Sequence, residues 1–150
     1  MATMGSSSPN REQLFDPIRQ KWVPATPEEK VRQHWIQYMQ GSLGFPRELF
    51  VVEKSLKELP HLQGSSAPDR RLDLLIYQKG VPLLLIECKA HAISEKEKRQ
   101  LIGYNYHVKA PFIALVNTIE VCFGYRDSEG YCFHPFLPPF EELKKWKENK

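Results

Sequence analysis

The chain has 150 residues, 41% of them hydrophobic and 26% charged, with a formal net charge of +3. That length can bury one core without disulfides or a structural metal, and the composition argues against general disorder and against membrane insertion. The small positive charge permits a polyanionic partner without requiring one.

Met1 to Asn10 are small and polar, with no apolar stretch of signal or anchor type, and residues 1–14 read as a disordered tail ahead of one domain over 15–150. The first ordered element is announced at Thr26-Pro27-Glu28-Glu29: Thr as N-cap, Pro in the first turn, Glu29 completing a capping box. A helix follows from Pro27 to Gln40, with Val31, Trp35, Tyr38 and Met39 on one stripe, ended by Gly41, Gly44 and Pro46. Leu49 to Leu56 reads as a strand. After a polar stretch, two apolar runs, Leu72 to Tyr77 and Val81 to Cys88, flank Gln78-Lys79-Gly80, and the arrangement predicts an antiparallel pair on a three-residue loop whose Gly80 takes φ > 0.

Ser94 and Glu97 form a second capping box, opening a helix to Val108 with Leu101, Tyr104 and Val108 on its apolar face. Phe112–Asn117, Glu120–Tyr125 and Tyr131–Phe133 read as further strands, with a turn at Asp127 to Gly130 and a short Lys/Glu-rich helix at the end. The expected fold is α/β, a mixed β-sheet flanked by helices. Cys88, Cys122 and Cys132 are odd in number and lack C-x-x-C spacing, which fits neither a disulfide framework nor a zinc knuckle and points to a reducing cytoplasm.

Asp73 opens one apolar strand, and Glu87 and Lys89 close the next. Residues i and i+2 of a strand share a face, so Glu87 and Lys89 emerge together. With the three-residue loop, Asp73 lies opposite Leu85 and diagonal to Glu87 on that face, about 7–8 Å away. A loop one residue shorter or longer puts them on opposite faces. Two converging carboxylates repel unless a cation lies between them. Mg²⁺, or Mn²⁺ in its place, suits two carboxylates, with the Cys88 backbone carbonyl as a further oxygen ligand. Lys89 then faces the attacking water and a scissile phosphate. The alternative is an ordinary Glu–Lys ion pair with Asp73 solvated; its weakness is the cost of a charge pair on the apolar Leu83–Ile86 strand.

These residues resemble the PD-(D/E)xK nuclease superfamily, and within it the N-terminal nuclease domain of type I restriction enzyme R subunits. The resemblance is carried by Asp16-Pro17 with Trp22, Thr26 to Gln33, Arg71 to Tyr77, Ile86-Glu87-Cys88-Lys89-Ala90, and Gln100 through Asn105. It implies a restriction-endonuclease-like core and Mg²⁺-dependent cleavage of DNA, with Asp73, Glu87 and Lys89 as the motif residues. It also implies supporting roles for Gln100 and Tyr104, which match a Q-x-x-x-Y helix, and for an acid from the first helix. Glu28 is preferred for that acid, because at 100° per residue it lies near the Val31-Trp35-Met39 stripe and Glu29 does not; Glu53 is a weaker candidate.

Pro68-Asp69 spells a literal PD, but only Asp73 abuts the apolar strand. No G-x-x-x-x-G-K loop is present, so the resemblance implies a stand-alone or excised nuclease module, for which a motor or specificity subunit is a candidate partner. Arg70, Arg71, Lys96 and Arg99, with Lys98 and Lys109, flank the expected site and are candidates to meet nucleic-acid phosphates. A non-catalytic nucleic-acid-binding or assembly domain is the competing functional class. Monomer and homodimer are both open.

Overall fold

The computed structural model describes residues 12–148. An N-terminal hairpin, β1 (Gln13–Asp16) and β2 (Lys21–Pro24), precedes helix α1 (Pro27–Gly41). Strand β3 (Phe50–Val52) is followed by short 3-10 turns and then by β4 (Leu74–Gln78) and β5 (Val81–Cys88). Helix α2 (Glu95–Val108), strands β6 (Phe112–Val116), β7 (Val121–Asp127) and β8 (Gly130–His134), and helix α3 (Phe140–Glu148) complete the order.

Strands β3 to β8 form one six-stranded sheet in that order, and only β5 and β6 run parallel. It is a mixed sheet in an α/β fold, consistent with a restriction-endonuclease-like domain. Core residues of α1 and α3 pack on one face with Leu74, Ile76, Leu84 and Ile86. Leu101, Tyr104 and Val108 of α2 cover the other, over Leu75, Leu85, Ile113 and Leu115. The period-2 alternation of β4 and β5 divides their side chains between these two layers.

The hairpin was not anticipated: β1 begins at Gln13, inside the expected tail, while the expectation for Met1 to Arg11 lies outside the described residues. Its strands are too short, and its Trp22 too exposed at 63%, to give an apolar pattern. The strand expected over 49–56 shrinks to three residues because Glu53 adopts φ 52 and turns the chain out of the sheet. Tyr38 is exposed, and Ile36 takes its place on the buried stripe of α1.

The β4–β5 connection corrects the expected register. The loop is two residues, not three: Gln78 pairs with Val81, and Lys79 and Gly80 both take positive φ, 55° and 78°. That is the geometry a two-residue hairpin loop requires when it matches the strand twist. By itself the shorter loop would place Asp73 and Glu87 on opposite faces. A bulge restores the parity. Tyr77 pairs with Pro82 and Ile76 with Leu84, so Leu83 is an extra residue. Pro82 has no N–H to offer the ladder, which makes this stretch a natural place for it. Beyond the bulge Leu74 faces Ile86, and the same count carries Asp73 directly opposite Glu87 rather than diagonal to it.

Candidate active site

The ends of β4 and β5 bring Asp73 and Glu87 together on the α2 side of the sheet. The β5 strand is central, so the Glu87 carboxyl is held where water barely reaches it, at 7% exposure. Its Oε1 is buried and has no hydrogen-bond partner. The Arg70 guanidinium approaches only to 4.0 Å. Burial first, and then the adjacent Asp73 carboxylate, push the Glu87 carboxyl up to about 9. An acid left in this condition gains nothing for the fold.

Asp73 is held differently. Its Oδ2 accepts the Cys88 N–H at 2.7 Å and its Oδ1 accepts from Arg32 at 2.9 Å. Arg32 comes from α1, is 4% exposed, and also pairs with Glu29 and with Glu53 at 3.5 Å. Glu29 and Glu53 in turn accept from Arg19 of the β1–β2 turn, each at 2.9 Å, and Arg19 also pairs with Asp16. Two guanidiniums thus bridge four carboxylates drawn from the hairpin, α1 and both sides of the β3–β4 junction. Burial alone would raise the Asp16 carboxyl, but the Arg19 side chain and the Ile18 and Arg19 amides outweigh it and hold it below its ordinary value.

Lys89 follows Glu87 on the same face, and its N–H donates to Val116 O at 2.9 Å, which continues the β5–β6 ladder past the strand end. Its ammonium lies 3.8 Å from Glu97. Glu97 is fixed by the complete capping box of α2, accepting the Ser94 N–H at 3.0 Å, and has His91 Nε2 at 2.7 Å from its other oxygen. Tyr104 reaches in from the third turn of α2, with its hydroxyl buried and unpartnered. Burial, and then the Glu87 charge, raise that phenol above its ordinary value. The Arg70 guanidinium sits 4.1 Å from the centre of the Tyr104 ring.

Two placements differ from expectation. Glu28 is exposed and makes no hydrogen bond or ion pair among the described residues, whereas Glu29 is buried at 5% exposure. The helical angle misjudged them because the apolar stripe of α1 is flanked by an ionic one, Glu29 and Arg32, aimed at Asp73. The capping box at Thr26 is accordingly half made: Thr26 accepts the Glu29 N–H at 3.1 Å, but the Glu29 carboxylate is committed to arginines and to Gln33. Gln100 is exposed and does not join Tyr104 at the site.

Asp69 is exposed, away from the apolar strand. Arg71 is exposed and donates to the Glu53 carbonyl at 3.3 Å, Lys96 and Arg99 stand exposed early in α2, and Lys98 pairs with Glu95 at 2.7 Å. Arg19, Arg32, Asp16 and Glu97 have places around the site that were not assigned from the sequence, and Glu53, the weaker candidate for the extra acid, pairs with both Arg19 and Arg32. The available signal was Arg32 itself, a charge three residues after Glu29 on the inward side of a helix.

Oxygen donors, a carboxylate pair and a buried acid without a donor fit a hard divalent cation. Among the described residues no three His, Cys, Asp or Glu side chains gather as a metal cluster, so such an ion would rest on two carboxylates with backbone and water. The chain matches the family described as type I restriction enzyme R protein N terminus over residues 27–138, well over half its length. It belongs to that family. The matched segment contains Asp73, Glu87 and Lys89 and excludes the β1–β2 hairpin. No curated protein matches the chain. Among the described residues of this restriction-enzyme domain, no helix is long and apolar enough to cross a membrane.

Proposed function

We propose that this restriction-enzyme R-protein domain hydrolyses phosphodiester bonds of DNA with Mg²⁺ or Mn²⁺ held by Asp73, Glu87 and the Cys88 carbonyl. The observation that carries the reading is the Glu87 carboxyl, buried beside a second carboxylate with Oε1 unpartnered. Without metal the Glu87 carboxyl holds its proton; a divalent cation takes the place of that proton and satisfies both carboxylates. When bound, the divalent ion supplies positive charge at the phosphate and makes water a better nucleophile at neutral pH.

The remaining work falls to side chains. Asp73 is oriented by Arg32 and the Cys88 amide, so its carboxylate keeps one direction without rotamer search. Lys89, steadied by Glu97, places an ammonium beside the acids, where it orients the attacking water and offsets charge growing on the phosphate oxygens. Arg70, stacked on Tyr104, offers a guanidinium to the same phosphate group. DNA is the substrate, and a motor or specificity subunit of a restriction assembly is the partner implied by the family.

A non-catalytic binding or assembly role is the second reading, favoured by one fact: both Asp73 oxygens already have protein donors. The two readings part on cleavage of supercoiled, linear duplex and single-stranded DNA in Mg²⁺, Mn²⁺ or EDTA. Lys89→Ala should lose metal-dependent cutting by about 10²–10³-fold, the usual cost of one transition-state donor, with folding retained. Equal cutting by the variant would remove Lys89 from the reaction, and no cutting by either protein while both bind DNA would favour the second reading.

A further inference from the structure

Asp16, Glu29, Glu53, Asp73 and Glu87 crowd one end of the sheet; Arg19 and Arg32 bridge the first four, and Arg70 lies 4.0 Å from Glu87. A phosphodiester chain approaches such a site only where other cations offset the acids. Beside the cluster, at the outer edge of β3 and the β1–β2 turn, lies a cleft of about 510 Å³. Arg19, Lys21, Lys54 and Arg71 line it against two carboxylates, Glu53 and Glu58. Both acids are engaged elsewhere: Glu53 by Arg19 and Arg32, Glu58 by the Ser55 N–H at 3.1 Å.

Lys21, Lys54 and Arg71 are exposed and form no ion pair among the described residues. Arg71 is nonetheless placed, since its guanidinium bonds the Glu53 carbonyl. The Glu53 N–H in turn donates to Asp73 O at 3.0 Å, so the inner end of the cleft adjoins the acid pair. Its volume is that of a small-ligand site, which admits a short run of one strand and not the width of a duplex.

We propose that this cleft is the track along which a single nucleic-acid strand reaches Asp73 and Glu87, with Lys21, Lys54 and Arg71 meeting successive phosphates. The proposal rests on the nuclease reading of that acid pair. It assigns Lys21 and the hairpin, which precede the matched residues 27–138, to substrate binding.

The test is anisotropy binding of a labelled single-stranded oligonucleotide and of a closed duplex, in EDTA, across a salt series. Lys21→Glu, Lys54→Glu and the double variant are compared with Lys79→Glu, in the β4–β5 turn at the opposite end of those strands. All three positions are exposed, and thermal melts check that folding is unchanged. The double variant should bind the single strand about tenfold more weakly and lose roughly one unit of salt slope per lysine, with Lys79→Glu close to wild type. Unchanged affinity in the double variant, an equal loss in Lys79→Glu, or no binding by the wild type overturns the cleft. Cutting in Mg²⁺ or Mn²⁺ separates the two proposals. Wild-type cutting with KM unchanged in the double variant removes the track and keeps the nuclease. Lysine-dependent binding without cutting in either metal removes the nuclease and keeps the track.

Discussion

Replacing Glu87 with Gln should stabilise the metal-free protein while destroying its response to metal. The wild-type carboxyl is buried beside Asp73 and pushed up to about 9, against 4.5 for an ordinary glutamate. Between those values the unfolded chain has released the proton and the folded chain still holds it. Stability therefore falls as pH rises through that window, by about 1.4 kcal/mol per pH unit and about 3 kcal/mol by pH 7. Glutamine keeps the shape and stays neutral in both states. In EDTA at pH 7, Glu87→Gln should melt roughly 6–12 °C above wild type. The difference should vanish as pH falls below 4.5, where the unfolded carboxyl too becomes neutral, and widen toward pH 8. At one hundred times Kd, Mg²⁺ or Mn²⁺ should add about 2.7 kcal/mol to the wild type and nothing to the variant. The assay is thermal denaturation over pH, with EDTA or metal. A variant melting no higher than wild type at pH 7, or by a margin independent of pH, would refute the argument that Glu87 is a desolvated acid awaiting a cation.

Asp73→Asn should also abolish the metal-induced rise in melting temperature; an equal rise in the variant would mean that the ion binds elsewhere. Arg19→Met removes the shared partner of Asp16, Glu29 and Glu53 and should cost about 3–5 kcal/mol in urea unfolding, the price of stranding buried acids. The wild type should lose the Asp16 share of stability as pH falls below about 3.8, because that carboxyl is held below its ordinary value when folded, and the variant should lack this acid limb. Deleting Leu83 removes the bulge and should turn Glu87 and Lys89 to the α1 face. Metal stabilisation should then disappear, and its survival would show that the bulge does not set the face.

Much of the architecture was legible because its signals are local. The α2 boundaries follow from Ser94 and Glu97, which form both halves of a capping box, and β5 spans the apolar run Val81 to Cys88 as expected. Asp73, Glu87 and Lys89 stood out as charges at the ends of strands that are otherwise apolar. The hairpin, the bulge and the choice between Glu28 and Glu29 were hidden for a different reason. Each depends on pairing between elements, and for the hairpin and the first-helix acid the partners are distant along the chain: Arg19 lies 34 residues from Glu53, and Arg32 lies 41 from Asp73. No periodicity within one element carries that information.

The sequence by itself determined the helices, the strands of the main sheet and the acid-acid-lysine triplet, because capping, side-chain period and turn chemistry act over a few residues. The tertiary structure alone decided that Asp73 and Glu87 share a face. A two-residue loop would have parted them, and the extra residue Leu83 brought them back, since parity along a ladder is counted through every bulge between the turn and the site. It also decided which first-helix acid turns inward, because the Arg19 and Arg32 guanidiniums draw Glu29 into their network and leave Glu28 to water.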